Sequence, residues 1–73
     1  MNREFLYWFR DNKARPLEND IAWACHKFQE KTGREPVKLL VNPKEVSLFS
    51  AIEGLTLEIE EDRHIAVRYL GVM

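Results

Sequence analysis

The first run of the chain is almost wholly apolar: Phe5-Leu6-Tyr7-Trp8-Phe9 is flanked by Arg3 and Arg10 and followed by a polar stretch ending at Pro16. Aromatic side chains favour a pleated surface, and alternation puts Phe5, Tyr7 and Phe9 on one face and Leu6 and Trp8 on the other. A strand is expected over 3–10; a short helix presenting Phe5, Leu6, Trp8 and Phe9 is the competing reading. From residue 17 the period becomes helical. Leu17, Ile21, Ala24, Cys25, Phe28 and Thr32 recur at steps of three and four and form one stripe, with Trp23 off it. Pro16 suits the first helical position, Glu18 and Asp20 oppose the positive end of the helix dipole, Lys31 lies at the negative end, and Gly33 suits a left-handed stop. The main helix is predicted over 17–32.

Residues 37–41, Val-Lys-Leu-Leu-Val, form a short, mostly apolar run between prolines and read as a strand covered on both faces or nearly so. The best-specified signal of the chain follows. Asn42 can cap, Pro43 suits the first helical position, Glu45 can reach back to the Asn42 N–H, and Val41 and Val46 stand where a hydrophobic staple would place them. A short helix is predicted over 43–52, with Val46, Phe49 and Ile52 inward and Gly54 as the stop.

Residues 55–60 then alternate, with Leu55, Leu57 and Ile59 against Thr56, Glu58 and Glu60, and residues 65–70 alternate again. Two such runs predict a C-terminal hairpin, and matching their faces requires a loop of three or five residues. The expected fold is α/β, with α+β as the alternative: a single domain over 1–73, ordered β-α-β-α-β-β around a four-stranded mixed sheet.

Composition narrows the class. With 45% apolar and 32% charged residues the 73-residue chain is expected to fold around one core. A net charge of −1 argues against overall attraction to nucleic acid or an anionic membrane. The charge is uneven: residues 1–44 carry nine Lys or Arg against six Asp or Glu, and residues 45–73 carry two against six. That asymmetry suits attraction between the halves, within the fold or across a dimer. The lone Cys25 can form no internal disulfide, no apolar run approaches the roughly 20 residues that span a bilayer, and a cytoplasmic location is expected.

No reactive constellation stands out. Cys25 and His26 are neighbours on a helix and so point about 100° apart, and Cys25 belongs to the apolar stripe as a small hydrophobe. His26 and His64 lack metal-ligand spacing, so neither metal nor cofactor is expected. Glu58 and Glu60 share one strand face in like environments, which suits a solvated surface better than an acid–base pair. Catalysis is therefore not expected. The feature that points to function is the aromatic segment interleaved with cations: Phe5, Tyr7, Trp8, Arg10, Lys13 and Arg15. Such a segment suits a self-association surface, giving a homodimer and a non-catalytic protein-interaction module. The alternative is a weak single-stranded nucleic-acid binder, with rings for stacking and cations for phosphate. The succession of helix, apolar strand, Asn-Pro-initiated helix and Gly-Leu-led strand from Leu17 to Ile59 resembles in architecture a segment of tailed-phage capsid proteins. That resemblance implies a structural or assembly component and transfers no site residue.

Overall fold

The structure, a computed structural model, describes residues 5–12 and 14–73. Its elements are β1 (Leu6–Phe9), α1 (Leu17–Thr32), β2 (Lys38–Val41), a 3-10 turn (Pro43–Glu45) continuing into α2 (Val46–Ser50), β3 (Glu58–Glu61) and β4 (Tyr69–Val72). The strands form one four-stranded mixed sheet in the order β1-β4-β2-β3. The α/β order and the long helix are as the sequence predicts, and β1 is a strand rather than a helix.

The helix stripe explains the core. Ile21, Ala24 and Phe28 of α1 and Phe49 of α2 are buried with Leu39, Val41, Leu70 and Val72, and Leu6, Trp8, Leu17, Cys25, Val46, Ile52, Leu55, Leu57 and Ile59 pack around them. Both helices therefore cover one face of the sheet. α1 closes on Gly33, whose φ of 74° lets its N–H reach the Gln29 carbonyl at 2.8 Å. At its start the helix opens at Leu17, one position later than Pro16 at the first helical position would give.

The predicted hairpin does not form. β3 pairs in parallel with β2, whereas β4 lies on the other side of β2, antiparallel to both β2 and β1. Two features of the structure explain the difference. Leu70, Gly71 and Val72 are all buried, the mark of an interior strand, so the ladder starts at Tyr69 and the alternating run before it is loop. The connection then crosses the carboxyl end of β2 and is tied there: the Asp62 N–H donates to the Val41 carbonyl at 2.8 Å and Asn42 Nδ2 donates to the Ile65 carbonyl at 2.8 Å. Asp62 Oδ1 also accepts the His64 N–H at 2.9 Å, which holds the Asp62 carboxyl below the usual carboxylate range.

The cap at Asn42 is real: its Oδ1 accepts the Lys44 N–H at 2.9 Å. Its expected partner is elsewhere. Glu45 does not reach back to Asn42. Its carboxylate is buried, accepts the Arg10 guanidinium through Oε2 and accepts the Arg68 backbone N–H at 3.1 Å through Oε1. Arg68 has a positive φ of 73°, a conformation that costs a non-glycine residue roughly 1–2 kcal/mol. Arg10 N–H donates to the Arg68 carbonyl at 2.7 Å, and Arg68 Nη2 donates to the Arg10 carbonyl at 2.9 Å. Residues 10, 45 and 68, far apart in sequence, thus close one polar knot at the end of β1.

Candidate functional site

Sheet register decides which side chains share a face. Tyr7, Gly71, Leu40 and Glu60 stand in one row across the four strands, and Phe9 opposes Tyr69 in another on the same face. The intervening rows, Trp8-Leu70-Val41 and Leu6-Val72-Leu39, point into the helices. The face away from the helices therefore carries an aromatic row. Phe5 and Tyr7 meet edge-on with ring centroids 4.5 Å apart, and Phe9 and Tyr69 lie 4.9 Å apart. Tyr7, Phe9 and Tyr69 remain 56%, 47% and 38% exposed, large fractions for rings on a sheet.

Gly71 makes the row continuous. A Cβ there would lie 2.9 Å from the Phe5 ring and 3.4 Å from Leu40 Cβ, so the absence of a side chain lets Phe5 fold down over β4. The Arg68 guanidinium sits 5.4 Å from the Phe9 ring centre and extends the patch at its far end. Toward β3 the face becomes charged: Lys38 Nζ pairs with Glu60 at 3.1 Å, and Glu58 and Glu60 are exposed.

The six residues singled out from sequence are not brought together as one surface. Phe5 and Tyr7 are on the aromatic face. Trp8 is on the opposite face, where its Nε1 donates to Asp20 at 3.2 Å and its ring meets Trp23 edge-on at 6.0 Å. Arg10 is held by Glu45 and lies 5.5 Å from the Phe49 ring centre. Arg15 pairs with Asp11 at 2.9 Å and Asp20 at 3.2 Å and stacks 4.7 Å from the Trp23 ring centre. Those carboxylates hold the Arg15 guanidinium above its usual pKa. Lys13 lies outside the described residues. Phe9 and Tyr69 belong to the surface and were not singled out. The signal for Phe9 was the alternation that already grouped it with Phe5 and Tyr7; Tyr69 becomes its neighbour only through the β1–β4 pairing.

Asp20, whose place in the first turn of α1 suits the helix dipole, is only 1% exposed. Its position three residues after Leu17 and four before Ala24 lies on the inward stripe, and a carboxylate there needs partners, which Trp8 and Arg15 supply.

No family model, curated protein or solved structure matches this chain.

A concavity lies on the helical side. A cavity of about 480 Å³ runs between α1 and residues 52–57, floored by Ile21, Cys25, Ile52, Leu55 and Leu57. Burial and the nearby Glu35 carboxylate push the Cys25 thiol pKa up, the opposite of an activated nucleophile. Among the described residues no group of three or more His, Cys, Asp or Glu side chains could hold a metal, and no helix is long and apolar enough to cross a membrane.

Proposed function

We propose that this protein is a non-catalytic interaction module that self-associates as a homodimer through the aromatic face of its sheet. The observation that supports this reading is the exposed row formed by Tyr7, Phe9 and Tyr69 with Phe5 behind it. Rings of this kind are enriched at interface centres because they bury much area for little side-chain entropy. A second copy is a fitting occupant because the row is mainly uncharged along β1 and β4 and becomes acidic toward β3, so two copies related by a twofold axis can bury rings against rings while their Glu58 and Glu60 side chains stay at the rim. A stable dimer needs roughly 800 Å² from each partner, about a sixth of the 5133 Å² this chain exposes.

The same observations rank a nucleic-acid role lower. Phosphate contacts need several available cations beside the stacking rings, whereas Arg10 and Arg15 are engaged by carboxylates, Lys38 is paired with Glu60, and Arg68 alone stands beside Phe9, with its Nη2 donating to the Arg10 carbonyl. A module of this kind also suits an assembly component, in which the same face would meet a neighbouring subunit. Light-scattering mass measured across a concentration series tests the proposal: a dimer that dissociates on dilution is expected, and a constant monomer mass would remove its basis.

A further inference from the structure

The cavity between α1 and residues 52–57 has a lining of one charge sign. Its α1 side is the stripe Glu18, Ile21, Ala22, Cys25, His26 and Gln29. The facing wall brings Glu35 and Glu53 beside apolar Ile52, Leu55 and Leu57, and among the described residues no Lys or Arg lines the space. On other surfaces Asp11, Asp20, Glu30, Glu45, Glu60 and Asp62 each have a cationic or histidine partner, whereas Glu58 and Glu61 stand exposed on β3. Glu18, Glu35 and Glu53 likewise have no ion pair among the described residues, and these three line one apolar-floored groove.

The groove is also long. Glu18 and Gln29 are separated by eleven helical positions, which at 1.5 Å per residue is about 16 Å. Glu18 lies toward one end of that span and Gln29 toward the other. A single small cation cannot bridge it. A polypeptide segment with an apolar face and basic residues spaced along it can, by laying its apolar side chains over Ile21, Cys25 and Leu55 while its cations meet the carboxylates at the rim.

We infer that this groove docks a basic amphipathic helix of a partner protein, independently of the aromatic sheet face. Charge complementarity selects that occupant: an acidic or neutral segment would leave the three carboxylates facing like charge or losing water without return.

The test uses the full chain and a fluorescein-labelled amphipathic peptide with leucines at i, i+3, i+4 and i+7 and arginines elsewhere, beside a counterpart with glutamate for each arginine. Fluorescence anisotropy is expected to show binding of the arginine peptide that weakens as salt rises, and no binding of the glutamate peptide. The triple variant Glu18→Gln, Glu35→Gln, Glu53→Gln, all at exposed positions, is expected to weaken binding by about tenfold or more. Bound peptide should also slow alkylation of Cys25, the only cysteine. Failure of the arginine peptide to bind, equal binding of both peptides, an unchanged affinity in the folded triple variant, or full Cys25 reactivity in the saturated complex would each overturn the inference. Retention of binding in the folded variant Tyr7→Arg, Tyr69→Arg is expected, and its loss would relocate the site to the sheet face.

Discussion

Replacing Glu45 by alanine removes the acceptor at the centre of the knot formed by residues 10, 45 and 68. Two groups lose their partner together. The Arg10 side chain, only 11% exposed, keeps a positive charge with no counter-ion, and the Arg68 N–H loses its acceptor while the backbone stays at a φ of 73°. Breaking a buried pair from one side costs about 3–5 kcal/mol, because the surviving charge is left in a poorly solvating site. A chain of 73 residues has about 4–11 kcal/mol in total, so Glu45→Ala should lose much or most of its stability. Urea unfolding followed by tryptophan emission measures this directly, since Trp8 is packed against the core. The double variant Arg10→Met, Glu45→Leu should recover the part of the loss that comes from the stranded charge, because an apolar pair of similar volume carries no desolvation cost, while the Arg68 N–H stays without its acceptor. The contrast is Glu60→Ala, whose pairing with Lys38 is half-exposed and should cost less than about 1 kcal/mol. A loss below about 1 kcal/mol for Glu45→Ala as well, or a double variant no better than the single one, would refute the reading of Glu45 as a buried structural hub.

Further expectations follow from single positions. Gly33→Ala meets no atom within 4 Å, so its cost is conformational, about 1 kcal/mol in urea unfolding from the positive φ alone. Gly71→Ala should cost about 1–3 kcal/mol by pushing the Phe5 ring off β4, seen as changed resonances for Phe5 and Tyr7 by NMR. Burial raises the Cys25 thiol pKa, so iodoacetamide should react with it more slowly than with an unfolded control at neutral pH, and its pH–rate midpoint should be higher than the control's. Because the folded value is the higher one, the contribution of the neutral thiol is fully present below the unfolded-state pKa and is lost as pH rises through the folded-state value. Single-stranded oligonucleotides should produce no salt-dependent quenching of tryptophan emission.

Local patterns made the elements legible, and long-range pairing hid the rest. The stripe from Leu17 to Thr32, the Gly33 stop and the Asn42 cap are local signals, and each appears where its residues indicate. The alternation of residues 5–9 assigned Tyr7 and Trp8 to opposite faces correctly. Glu45 misled because a capping box and a buried ion pair use the same carboxylate; the choice rests on Arg10, thirty-five residues away. The hairpin misled in a similar way. Residues 65–70 alternate as a strand would, but buried Gly71 between Leu70 and Val72 marks the interior strand, and Asn42, which ties the crossing loop, stands outside both runs. The aromatic surface was half visible, since Phe5, Tyr7 and Phe9 share a face by alternation while Tyr69 joins them through the β1–β4 register.

Sedimentation equilibrium on the wild type and on Tyr7→Arg, Tyr69→Arg tests self-association through this face most directly. The wild-type mass should rise from 8.7 kDa toward twice that value as concentration increases, over the micromolar to hundreds-of-micromolar range on the order of a modest dimer affinity. The folded double variant should stay monomeric throughout, because arginines facing each other across a twofold interface add like charge where rings were buried. A wild-type chain that remains monomeric over that range, or a variant that dimerises as readily as the wild type, would contradict the aromatic face as the interface.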